Sequence, residues 1–171
     1  MPLIQKYLYQ ETQRVCYDSP GQLRIKNKED KSPGEMFTNI QLLEVTRLVG
    51  HDVTSCQEFD AVNDCNGKLR RIKSKIKYRE DEQDCYGIIE ICALINDKDP
   101  ICIVQKMAEV DSTSDFPHFT ITDEQLAIST SMILGCPCFV HKCTTFCTVR
   151  PLYHDLINSN IMILNTYYLG N

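Results

Sequence analysis

Gly87-Ile-Ile-Glu-Ile-Cys-Ala-Leu-Ile95, the turn Asn96-Asp-Lys-Asp99, and then Pro100 with Ile101-Cys-Ile-Val-Gln-Lys-Met-Ala-Glu-Val110 decide the fold. The first run is apolar at nearly every position, as a central strand covered on both faces must be. Asn96 to Asp99 reads as a turn. Pro100 suits the first residue of a strand, where no ladder N–H is needed from it. Two strands joined by so short a turn run antiparallel.

Working upstream, Arg79 to Asp84 is a charged turn and Lys68 to Tyr78 a strand with Ile72, Ile76 and Tyr78 on one face. Asn66-Gly67 predicts a type I′ hairpin, because that turn needs positive φ at both central residues. Its partner strand is Val53 to Val62. Thr38 and Gln41 form a capping-box pattern at the start of a helix running to Val49, with Gly50 as the stop. Phe37, Ile40, Leu43 and Leu48 supply its apolar face. Residues 1–35 read as an N-terminal extension or linker in which Tyr7, Leu8 and Tyr9 are anchors and Lys26 to Glu35 is polar loop.

Downstream, a loop from Asp111 to Pro117 leads to Phe119. Thr122 and Gln125 repeat the capping-box spacing, with Asp123 and Glu124 in the first turn, so a second helix is predicted there with Leu126, Met132 and Ile133 buried. Gly135-Cys136-Pro137 ends it. A last helix is predicted from Pro151, with Tyr153, Ile157, Ile161, Leu164 and Tyr168 as its stripe. The fold class is α+β, an antiparallel sheet with helices packed mainly on one side.

The 171 residues are enough for one core, with residues 36–171 as the domain. A net charge of −5 and a sequence pI near 5.3 argue against nucleic acid as the main partner, since a duplex binder needs a surplus of Lys and Arg. There is no signal-peptide pattern and no apolar run of about 18 residues, so no membrane span is predicted and a cytoplasmic setting is expected. In that setting the ten cysteines are read mostly as small buried hydrophobes, Cys92 and Cys102 among them.

Gln105-Lys106, a gap of twelve residues, and Phe119-Thr-Ile-Thr-Asp123-Glu124 resemble the closing part of GAF domains in cyclic-nucleotide phosphodiesterases. That family carries Asn-Lys, a variable gap and Phe-x-x-x-Asp-Glu. Two departures stand out: Gln105 replaces the Asn, and only Arg79 to Tyr86 separates the second strand from the central one, where the family has further strands and helices that close over the nucleotide. The resemblance implies a GAF-like, regulatory and non-catalytic module that senses cyclic GMP, cyclic AMP or another small ligand. It also implies homodimerisation or docking to a partner protein. Gln105, Lys106, Phe119, Asp123 and Glu124 are then the site residues. In physical terms the motif is a latch: Lys106 on a strand pairs with Asp123 at a helix start, and Phe119 plugs the corner.

Two alternatives remain beside it. One is an interaction module of the same fold that takes no ligand. The other is an adaptor stabilised by zinc on Cys136, Cys138, His141, Cys143 and Cys147, whose spacings suit tetrahedral coordination but lack a second distant pair. A Cys-rich segment packed on the sheet explains that cluster as well, and no metal or other cofactor is assigned. Lys68 to Arg79 holds seven of the 18 basic residues, with Lys73, Lys75 and Lys77 on one strand face. An edge strand kept from aggregating by lysines accounts for it. His51, His118, His141 and His154 form no phosphodiesterase metal set, and no Gly-x-Ser-x-Gly or P-loop occurs, so no enzyme is predicted.

Overall fold

The computed structural model describes residues 19–111, 117–141 and 161–164. Strand β1 spans Leu23–Lys31 and is followed by a one-turn helix α1, Pro33–Met36, and helix α2, Asn39–Val49. Then come β2 (Cys56–Asn63), β3 (Leu69–Arg71), β4 (Lys75–Glu80), β5 (Gln83–Ile95), β6 (Asp99–Asp111) and β7 (His118–Ser129). A 3-10 turn, Thr130–Met132, precedes β8 (Ile133–Gly135), β9 (Phe139–His141) and β10 (Ile161–Leu164). Every pairing among the described strands is antiparallel, in the order β1-β2-β5-β6-β7-β10-β9, with β3 on β2 and β4 between β5 and β8. Antiparallel sheet thus dominates, and α1 and α2 are the two α-helices among the described residues.

β8 continues from β7 and pairs back onto β4, so β4, β5, β6, β7 and β8 close into a small barrel. Its filling is Val62, Ile76, Tyr78, Ile89, Cys92, Cys102, Val104, Leu126, Ile128 and Ile133. A second cluster, under α2, holds Met36, Phe37, Val45, Cys56, Ala93, Ile95, Ile101 and Ile103. A third gathers Met107, Phe119 and Leu164 with half-buried Tyr86, Ile88, Ile121 and Phe139.

The unbroken apolar run of β5 is explained by a bulge. Ile89 pairs with Val104 and Ile91 with Ile103, so Glu90 is an extra residue. An extra residue reverses the alternation of sides. Ile89 and Cys92 therefore both enter the barrel, while Ala93 and Ile95 lie under α2. Gly87 is pressed against β6: a Cβ there would lie 2.3 Å from Val104 Cγ1 and 2.7 Å from the Gln105 carbonyl oxygen.

Helix α2 begins as the capping box predicts. Gln41 N–H donates to Thr38 Oγ1 (3.2 Å), and Thr38 N–H to Gln41 Oε1 (2.9 Å). Gly50, at φ 74°, ends it. The buried side differs from the one predicted. Gln41 and Val45 face inward, while Ile40 is 73% and Leu43 68% exposed and Leu48 is also on the surface. Phe37 and Leu42 both join the cluster beneath the helix, a hydrophobic staple that fixes the helix's rotation. Gln41 Nε2 then donates to Gln125 Oε1 on β7 at 2.7 Å.

Other local expectations change as well. The polar loop predicted from Lys26 to Glu35 is mostly β1, paired with β2, and then α1. At Asn66-Gly67 only Gly67 has positive φ. The fully buried Asp64 carboxylate accepts the N–H groups of Asn66 and Lys68 and takes two guanidinium contacts from Arg70, at 2.8 and 2.6 Å. That Asx-type capping supports a wider turn. Type I′ geometry occurs instead at Asp81-Glu82, and paired positive φ recurs at Asn96-Asp97. The single strand Lys68 to Tyr78 is split into β3 and β4 by Lys73 at φ 69°, which leaves only Lys75 and Lys77 sharing a β4 face.

The helix predicted from Thr122 is strand β7, with Leu126, Ala127 and Ile128 buried along it. The last predicted helix lies largely outside the described residues. Its Ile161 and Leu164 belong to β10, which pairs with β7 and β9.

Candidate functional site

Four of the five residues singled out by sequence meet at one place, a bulge between β6 and β7. Gln105 pairs with Gln125 and Met107 with Ile121, so Thr122, Asp123 and Glu124 together face the single residue Lys106. Thr122 Oγ1 donates to the Lys106 carbonyl (3.0 Å) and accepts the Glu124 N–H (3.3 Å). Gln105 Nε2 donates to the Thr122 carbonyl at 3.0 Å. The groups that suit a helix N-terminus here satisfy the backbone of a strand bulge.

The latch exists with a different partner. Lys106 Nζ lies 3.2 Å from Glu124 Oε1 and 3.8 Å from Glu80 Oε2, while Asp123 is exposed at the tip. A three-residue bulge turns each successive side chain differently, so the neighbour of the predicted carboxylate makes the contact. Partial burial works against the Lys106 charge, but the bond to Glu124 and the charge of Glu80 outweigh it and hold its pKa above the usual lysine value. Phe119 lies on the other side of the sheet. It packs on Tyr86 (centroids 4.9 Å apart) and Phe139 (5.7 Å), as a core aromatic group rather than a corner plug beside Lys106.

Sequence reasoning missed the residues that complete this mouth of the barrel, because they come from β4 and β5. Tyr78 pairs with Cys85, and Gly87 with Lys106. The Tyr78 hydroxyl is buried without a hydrogen-bond partner among the described residues, and burial raises its pKa, with Cys85 and Glu80 adding to the shift. The Cys85 thiol sits 4.0 Å from Glu80 Oε2, and its pKa is raised first by burial and then by that carboxylate. A thiol kept protonated in this way is a poor nucleophile. The arrangement fastens β4, β6 and β7 together.

A second polar knot joins α2 to the β5–β6 turn. His51 Nε2 lies 2.9 Å from Asp99 Oδ2, and Asn96 Nδ2 donates to the Asp52 carbonyl at 2.8 Å and approaches His51 Nδ1 at 3.1 Å. Asn96 Oδ1 accepts from Thr54 N–H, Thr54 Oγ1 and Ser55 N–H. Both imidazole nitrogens are engaged in holding the turn. The turn residues Asn96 to Asp99 were the available signal; their link to His51 is made only in three dimensions.

An open hollow of about 300 Å³ is lined by Gly21, Gln22, Leu23, Phe59, Leu94, Lys98 and Pro100. None of the five predicted site residues lines it. In the basic run, Arg70, Lys73, Lys77 and Arg79 pair with Asp64, Glu90 and Asp84, which fits a charge-balanced surface. Cys136 and Cys138 are exposed, while Cys143 and Cys147 lie outside the described residues, as does the side chain of His141. No set of three metal-ligating side chains occurs among the described residues, and none of their helices is long and apolar enough to cross a membrane. No known family, curated protein or solved structure matches the chain.

Proposed function

We propose that the chain is a regulatory, non-catalytic interaction module that docks its partner on the outer face of α2, with a second copy of the chain as the first partner to test. The observation that carries this reading is an apolar pair on the helix's outer face. Val45 is buried and Leu42 and Val49 pack beneath the helix, yet Ile40 and Leu43 stay on the surface, where a helix that only covered its own sheet would carry polar residues. Glu44 and Arg47, 3.6 Å apart on the same outer side, give that patch a polar rim. Fully covering Ile40 and Leu43 is worth roughly 1.5 to 3 kcal/mol each.

The GAF resemblance of the Gln105 to Glu124 segment is the ground for the regulatory class. It lends less to cyclic-nucleotide sensing, because the Phe-x-x-x-Asp-Glu segment is a strand bulge here and the hollow has only Gln22 and Lys98 as polar lining side chains. Sedimentation analysis tests the docking. The wild-type chain is expected to dimerise with rising concentration, and Ile40→Glu with Leu43→Glu to stay monomeric and to match the melting temperature of the dilute, monomeric wild type. A monomer at every concentration would remove self-association. Calorimetric titration with cyclic GMP and cyclic AMP is expected to be silent, and micromolar binding of either would return the sensing role.

A further inference from the structure

We propose that Cys92 and Cys102 are a redox pair whose state is set while the chain folds and is then sealed inside the barrel. Folding in the presence of a small disulfide such as glutathione disulfide yields a protein disulfide, and folding without it yields two thiols. The two residues stand directly opposite each other on β5 and β6. Their sulfurs are 3.5 Å apart, and both residues are fully buried. Directly opposed antiparallel residues have Cα atoms about 4.5–5.5 Å apart, within the range a disulfide spans. Closing the S–S bond to about 2 Å asks only a small movement of two side chains.

The same burial isolates the pair once the barrel has closed. Val62, Ile76, Ile89, Val104, Leu126 and Ile128 pack in the same cluster. The contact with the Cys92 sulfur, with burial added, holds the Cys102 thiol well above the usual cysteine range. Exchange needs a thiolate and access to it, and the native pair offers little of either. In the unfolded chain both thiols are open to solvent, and the short hairpin turn brings them together early.

The reaction balances with glutathione disulfide as the oxidant. One cysteine thiolate attacks it, forming a mixed disulfide and releasing one glutathione thiolate. The second cysteine loses its proton, attacks the protein sulfur of the mixed disulfide and releases the second glutathione. Two protein thiols are oxidised, and one glutathione disulfide is reduced to two glutathiones.

The test uses the full chain, reduced and unfolded in urea, then refolded with either reduced glutathione or glutathione disulfide. A third sample, native and reduced, meets the same glutathione disulfide without urea. Non-reducing peptide mapping after alkylation, with fragmentation of the linked pair, reads the Cys92–Cys102 link: cleavage after Lys98 separates the two cysteines, and alkylated Cys85 on the same peptide as Cys92 shows which of those two is linked. The link is expected in the sample refolded with glutathione disulfide, and at least about 100-fold more slowly in the native one, where a protecting opening must come first. Cys102→Ala should lose this link alone. Should other pairings scramble refolding, reduced protein held in urea below its unfolding transition should gain the Cys92–Cys102 link faster as urea rises. Absence of the link in every arm would overturn the pairing, and equal rates for native and unfolded protein would overturn the sealing.

Discussion

Thr38-x-x-Gln41 and Thr122-x-x-Gln125 share one local signature and end in different structures. At the first, hydroxyl and amide close a capping box and α2 follows. At the second, the threonine satisfies a bulge and the chain remains a strand. The difference lies in what surrounds each segment. Residues 39–49 have one side free for water, so local hydrogen bonds decide. Residues 118–129 run beside β6, whose backbone groups need a ladder partner, and an unpaired buried group costs more than a lost cap returns. The two glutamines meet, Gln41 donating to Gln125, so each segment helps fix the other.

The largest effect is expected where β6 is held in place for β7. Gly87→Ala puts a methyl group against Val104 and the Gln105 backbone, and the backbone cannot yield without disturbing the ladder. A loss of about 3 kcal/mol is expected, at the upper end for overpacking, read as a lower urea midpoint by far-UV circular dichroism. An unchanged midpoint would mean that β5 and β6 are not so closely apposed, and that the strand form of residues 118–129 needs another cause.

The two threonines sharpen the comparison directly. Thr38→Ala removes a helix cap and is expected to cost about 1 kcal/mol. Thr122→Ala removes both hydrogen bonds of the hydroxyl at the bulge, to the Lys106 carbonyl and from the Glu124 N–H, and at this partly exposed site is expected to cost about 0.5 kcal/mol. Both are read from urea midpoints at matched slopes. A larger loss at Thr122 would make that residue, rather than the β6 ladder, the determinant of the second region.

What was legible in the sequence follows the same division. The caps of α2, the β5–β6 hairpin and its turn are local patterns, and their residues stand where the patterns put them. The bulge at Glu90 was hidden because an apolar run covered on both faces shows no break in alternation. The charged turn read over Arg79 to Asp84 is narrower than expected, because Arg79 and Glu80 pair with Asp84 and Gln83, and its tightness was hidden since Asp81 and Glu82 adopt positive φ without glycine. Glu80 reaches Lys106, with Cys85 beside it, only across paired strands, which no spacing along one segment encodes. Lys106 itself was legible as an ion-pairing residue, since a lysine beside acidic loop residues needs little more than proximity. Which carboxylate it meets depends on the bulge.

That last point gives the smallest and most selective prediction. Glu124→Gln and Lys106→Met should each cost about 0.5 kcal/mol, the usual scale for a partly exposed pair, while Asp123→Asn should cost nothing measurable. Equal effects at Asp123 and Glu124 would restore the simpler latch. The pH dependence has a definite sign. Lys106 is held above its ordinary value of 10.5 in the folded chain, so its contribution is complete below that pH and is lost as pH rises through the raised value. The gap between wild type and Lys106→Met should therefore be level from neutral pH to about pH 10 and close above it. Added salt should narrow it throughout, because the pair is partly open to solvent. A gap that instead widened with alkali would mean that burial of the Lys106 charge outweighs the carboxylates on either side.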